Sequence, residues 1–226
     1  MKDFNLEGST VRKLNQALHQ PSAANMDVLV NNPGGKHSIA VGAMYKTTIT
    51  IDGHVGYYCG GMNQNAAITV KGNAGSGCAE NIMSGMVRIR GDASQYCGAT
   101  GHGGLVVVEG NTSSRCGISM KGVDIVVGGS IGNLSAFMAQ SGCLVVCGDA
   151  GEALGDSAYE ARFYVGGSVA SLGADCVEKT MKDKHVQQLQ SLLKQAGMED
   201  VDISKFKRYG SARKLYNFNI DNAGQY

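Results

Sequence analysis

The sequence has no tryptophan, two prolines and few aromatic residues of any kind (6%). So few stacking rings weigh against the sugar-binding cleft of a free-standing carbohydrate-active β-helix enzyme, which stays the lesser alternative. With 33 glycines beside those two prolines, collagen and disordered linkers are excluded, because both need proline as well. No apolar run approaches the roughly 18 residues of a transmembrane helix. Charge of one sign is also missing, with 20 Lys+Arg against 19 Asp+Glu. No basic field therefore attracts nucleic acid or an anionic membrane. The opening stretch MKDFNLEGST lacks a signal peptide's apolar core. The seven cysteines are an odd number, and together these features lead us to expect free thiols in a reducing cytoplasm.

What the chain does have is a period. Gly34, Gly53, Gly72, Gly91, Gly110, Gly129, Gly148 and Gly167 follow one another every nineteen residues. At this glycine content, eight prescribed matches arise by chance roughly 2 times in ten million. All but the first close a short β-type run, such as ITIDG, VRIRG, VVVEG and LVVCG. The first and third positions of every run are apolar, from Ile49 and Ile51 through Val106 and Val108 to Phe163 and Val165. The second position is mixed (Thr50, Thr69, Arg88, Tyr164), the alternation of a strand with one face inward. Small residues recur three and seven positions after the closing glycine, where stacked corners leave little room for a Cβ.

One strand plus small-residue corners, repeated without insertion, predicts an all-β fold: a single-stranded parallel β-helix of about 7–8 coils. Right-handed winding is expected from the usual hand of parallel crossovers. A left-handed hexapeptide helix closes in about eighteen residues, and the signature of a leucine-rich horseshoe is missing. The β-helix is expected over residues 28–175, between a helical cap at 1–27 and a helix with a tail at 176–226. In the cap, Thr10 is placed to start a helix through Leu14 and Leu18 that Pro21 stops. At the other end, Asp175 and Glu178 resemble a capping pair for a helix that Cys176 begins and that ends near Gly197. Its stripe of Leu189, Leu192, Leu193 and Ala196 is expected to lie on the last coil or on another subunit. The tail mixes bases with aromatics, and Arg208, Tyr209, Arg213, Tyr216 and Phe218 are the candidate docking residues.

Cys59, Cys78, Cys97 and Cys116 occupy one repeat column, continued by Ser135. A zinc ion needs four ligands within about 2.3 Å, whereas a column spreads four sulfurs over roughly 14 Å. An inert core ladder is therefore expected, with a redox or metal role as the competing reading. The five histidines are scattered, and His102 in GHGG reads as a turn residue. The glycine strings lead into further strands, not into the helix that a phosphate-binding loop requires. No catalytic, cofactor-binding or metal-binding residue is assigned.

The unit G-x-x-G-x-x-x-G, at Gly53, Gly56 and Gly60 and again at Gly148, Gly151 and Gly155, resembles the GXGXG domain that ends the large subunit of glutamate synthase. Standing as a chain of its own, it is most similar to the small GXGXG subunit of N-methylglutamate synthase (methylamine–glutamate N-methyltransferase). That resemblance implies a non-catalytic β-helical subunit of a multi-subunit enzyme. The implied partners are a glutamine amidotransferase-like subunit and an FMN-binding synthase subunit with an iron–sulfur cluster. A scaffold subunit of formylmethanofuran dehydrogenase carries similar glycine repeats and is the alternative. Ser94, Ser113 and Ala170 depart from the pattern at its second glycine.

Overall fold

A computed structural model of the chain describes residues 2–215. Its backbone is a parallel β-solenoid. The strands are β1 (Lys2–Asn5), β2 (Asp27–Asn31), β3 (Thr48–Asp52), β4 (Ala67–Val70), β5 (Met86–Ile89) and β6 (Leu105–Val108). They continue with β7 (Asp124–Val127), β8 (Cys143–Val146), β9 (Arg162–Val165), β10 (Cys176–Lys179) and β11 (Lys207–Ser211). Among the described residues, two helices of more than one turn accompany them, α1 (Val11–Leu18) and α2 (Asp183–Gln195). From β2 to β9 each strand pairs in parallel with the next, which makes about seven turns.

From β3 onward the register advances by nineteen residues per turn: Ile49 lies opposite Ile68, and Leu144 opposite Phe163. The first turn is longer, with Val28 opposite Ile49 and Asn31 opposite Asp52. Gly34 therefore does not stack under Gly53, although it shares the spacing. The second and fourth residues of each strand from β3 to β9 point inward and are fully buried, from Ile49 to Val165.

A second strip of single-residue bridges (Val55, Ala74, Ala93, Thr112; then Ile131, Ala150, Val169) runs along the same axis. Thr112 is the polar member of that strip. Its buried hydroxyl makes no well-formed hydrogen bond among the described residues. It lies near enough to the Cys116 thiol to help lower it, a weak return on a desolvation penalty of about 1–3 kcal/mol. Thr112→Val, which restores the apolar character of Val55 and Ile131, is expected to raise stability by about 1 kcal/mol in urea unfolding. A loss of stability would contradict this account of the strip.

The remaining corner solves its backbone hydrogen bonding differently. Within one coil Tyr96, Gly98 and Thr100 all take left-handed backbone angles (φ 62°, 67° and 54°). Tyr96 and Thr100 donate their N–H groups forward to Ser114 and Ile118 carbonyls, whereas Gly98 and His102 donate backward to Cys78 and Ile82. With a left-handed residue at every second position, the amides of those residues point alternately up and down the axis, so each coil is tied to both neighbours without extended strands. Small residues hold the middle position, yet Ala79 and Ala136 occupy it at φ 57° alongside the glycines.

Both ends are covered, in ways only partly expected. Thr10 caps α1 and accepts from the Lys13 N–H, and Leu14 and Leu18 are buried. Ahead of that helix, β1 adds a parallel strand beside β2 that the sequence pattern does not suggest. At the other end Asp175 and Glu178 do not cap a helix, and Cys176 does not begin one. The segment from Cys176 to Lys179 is strand β10, and α2 begins only at Asp183. β11 returns antiparallel between β9 and β10, so it covers the edge of β9 and leaves β10 as the outermost strand.

Candidate docking surface and cysteine column

The helix expected on the last coil or on another subunit lies along the side of the solenoid instead. Leu189, Leu192, Leu193 and Ala196 pack on outward-facing Val107, Val126, Val145 and Tyr164. The side chain of Gln188 accepts from the Tyr164 hydroxyl (2.9 Å), while Arg88 donates to the Ala196 carbonyl at the other helix end (3.0 Å). Thirteen helical residues span about 20 Å, which matches the four strand spacings of about 4.8 Å between β9 and β5. Arg88 also pairs with Glu109 at 3.0 Å and so places a cation at the negative end of the helix.

The expected docking tail is largely structural through residue 215. Tyr209 is buried in the core (6% exposed) and is not available as a surface anchor. It alternates with its neighbour along β11, so the Arg208 side chain falls on the outer face, where Nε donates to the Thr180 carbonyl (3.2 Å). Arg213 reaches back to Glu160. Tyr216 and Phe218 lie outside the described residues. Ser211 donates to Asp175 (2.6 Å), and this hydrogen bond, more than any other contact, holds the Asp175 carboxyl below its usual range.

Arg162, Lys179, Lys182, Lys184, His185 and Arg208 converge around a recess of about 400 Å³ between β9–β11 and the start of α2. These residues come from three separate stretches of sequence, so the concentration of charge is invisible in a balanced composition. Large apolar side chains are exposed elsewhere on the surface, among them Met44, Met62, Met83 and Tyr57.

Cys59, Cys78, Cys97 and Cys116 are all fully buried free thiols, one per turn. The thiols of Cys78 and Cys97 are held well above the ordinary value, first by hydrogen bonding to Cys59 and Cys116 and then by burial. As the acceptor of the Cys97 bond, Cys116 shifts down. Burial pushes Cys143 and Cys176 up to about 12 and Cys147 to about 11. An iron–sulfur cluster needs thiolates that converge on one centre. Thiols in file along the core do not fit it, and no chemistry is routed through this column.

Ser135 continues the column and donates its hydroxyl to the Gly132 carbonyl at 2.8 Å. Cys97→Ser has the same outlet, the carbonyl three residues back, and is expected to destabilise by about 1 kcal/mol while leaving bound partners in place. Thermal unfolding and metal analysis test this. Release of stoichiometric metal would overturn the structural role.

One polar column stands outside every motif the sequence analysis singles out. His54, Asn73, Asp92, Asn111, Ser130, Asp149 and Ser168 each follow a closing glycine. In each of the first six, a side-chain acceptor takes the N–H of its counterpart one turn later, at 2.7–3.0 Å. Its signal in the sequence is an unbroken run of short acceptor-bearing residues and histidine at the nineteen-residue spacing.

A search among curated proteins adds a full-length relative. Protein GlxC of Rhizobium meliloti (strain 1021) is 58% identical over 228 residues, covering all of both chains. The chain belongs to the GlxC family. No family model matches it, and no solved structure does. The match spans the whole chain, so α2 and β11 fall inside the matched length. No helix among the described residues is long and apolar enough to cross a membrane.

Proposed function

We propose that this chain is the non-catalytic GXGXG-type assembly subunit of a multi-subunit, FMN-dependent glutamate synthase-like enzyme in the cytoplasm, most closely N-methylglutamate synthase. The observation that carries the reading is the use to which the repeat's polar groups are put. The acceptors that follow the closing glycines spend themselves on backbone amides of the next coil, and the cysteines lie sealed in the core. These groups hold coils together and present no reacting atoms to a substrate. A rigid prism with long regular faces suits the positioning of other polypeptides.

In this reading a glutamine amidotransferase-like subunit supplies the nitrogen chemistry. An FMN-binding subunit with an iron–sulfur cluster supplies the redox step, and FMN belongs to that partner. Affinity purification of the tagged full chain from its native cells, followed by identification of bound proteins, tests the proposal. Two larger subunits, one flavin-containing, are expected. Recovery of the chain alone, or with a molybdenum or tungsten dehydrogenase subunit, would refute it.

A further inference from the structure

Beyond the scaffold role, the recess beside α2 gathers more cations than it pairs; the carboxylate that Arg162 feels, Asp124, lies beyond ion-pair distance. Arg162 projects from the outer face of β9, and Arg208 from the outer face of β11, where Arg208 lies opposite Tyr164. Among the described residues, no carboxylate lies within ion-pair distance of Arg162, Arg208, Lys182 or Lys184. Glu160 also lines the recess, but it is taken by Arg213.

His185 adds an independent observation. It is 6% exposed, and its Nδ1 accepts the Lys182 N–H at 3.1 Å. That bond places the proton of the neutral ring on Nε2, which has no hydrogen-bond partner among the described residues. This N–H is not sealed in the core but opens onto the recess, where it can donate to a ligand. Arg162 spends one donor on Gln188 (3.3 Å) and Arg208 one on Thr180, so each guanidinium keeps further N–H groups for a ligand. The first amides of α2 add their dipole at the same place.

We propose that this recess is a binding site for a phosphate group, gripped by Arg162 and Arg208, with His185 Nε2–H as a third donor and Lys182 and Lys184 at the rim. Paired guanidinium forks match a tetrahedral dianion better than lysines alone, and the volume falls in the range of small-ligand sites. Burial, then Arg208, Lys184, Arg162 and Lys182, depress the His185 imidazole. A bound dianion opposes those cations, so the His185 pKa rises on binding.

Calorimetry of the full chain with inorganic phosphate, at ionic strength matched by chloride, should give one saturable site. Glucose 6-phosphate forms the second arm. Tighter binding of the ester would identify a phosphorylated metabolite as the source, and equal or weaker binding would identify free phosphate. Arg162→Gln and Arg208→Gln should each raise Kd roughly tenfold or more. Lys184→Gln, at an exposed position that leaves the fold intact, should raise it about threefold. Lys71→Gln, whose partner is Asp52, should leave it unchanged. In parallel, the His185 ring resonance should titrate at higher pH with phosphate present.

No saturable binding by the folded chain would overturn the proposal. So would binding indifferent to Arg208→Gln and Lys184→Gln, or an unmoved His185. If the same variants abolish retention of a partner protein while phosphate neither binds nor competes, the recess is a protein contact and the site does not exist. None of these readouts depends on the identity of the assembled enzyme.

Discussion

Gly110→Val is expected to leave the chain without a stable solenoid. A Cβ at Gly110 would lie 2.4 Å from the Asp92 carboxylate oxygen, 2.9 Å from the Gly91 carbonyl oxygen and 3.0 Å from its carbon. Two of these are backbone atoms of the preceding coil, which cannot swing aside. The third is the acceptor that holds the Asn111 N–H at 2.7 Å, so making room for valine also breaks a rung of the polar ladder. Overpacking of a rigid site costs about 1–3 kcal/mol, and the lost charge-assisted hydrogen bond adds about 1.5–3 kcal/mol. Coils support only their neighbours, so damage in the middle divides the stack. Far-ultraviolet dichroism and urea unfolding are expected to report a largely unfolded or aggregating protein. Gly34→Ala is the contrast: the nearest atoms to its Cβ lie at 3.8 and 3.9 Å, and only the left-handed angle (φ 52°) resists it. The expected loss there is about 1 kcal/mol. A wild-type unfolding midpoint for Gly110→Val would show that the coils are not in the contact described.

The second large effect is expected from Leu189→Ala. Leu189 is fully buried where α2 meets the outward residues of β6–β9. Truncation should cost about 2–5 kcal/mol. An amphipathic helix of thirteen residues has little stability apart from its packing, so the loss falls on the docking of α2. Hydrogen exchange should rise over 183–196 while β3 and β4, beyond the reach of α2, stay protected. Exposure of Val107, Val126 and Val145 should also promote aggregation. Uniform loss of protection along the whole solenoid would mean that α2 is part of one indivisible fold and does not act as a separable clasp.

The solenoid itself is legible in the sequence because its cause is local and repeated. An inward apolar pair such as Ile68 and Val70, followed by a glycine with no space for a Cβ, recurs at one period, and the structure stacks those positions in register. Gly34 shows the limit of counting, since the first turn takes two more residues and the glycine leaves its column. The outward positions of β6–β9 carry a fainter signal. Val107, Val126 and Val145 are apolar where Thr50 and Thr69 are polar, and a second apolar face demands a cover. The termini are harder to read because their partners are distant. Nothing near Asp175 tells it apart from a helix cap, and its actual partner, Ser211, arrives only when β11 inserts between β9 and β10. The basic recess is of the same kind, since Arg162, His185 and Arg208 meet through sheet register and a helix crossing.

The central claim is that this chain organises a catalytic assembly without performing its chemistry. The most direct measurement compares flavin content and glutamate- or N-methylglutamate-forming turnover in the isolated chain, in its co-purified partners and in the recombined assembly. The expected result is a colourless, inactive chain, flavin on a partner, and full turnover only on recombination. Stoichiometric FMN on the isolated chain, or turnover by the partners that is indifferent to its presence, would contradict the claim.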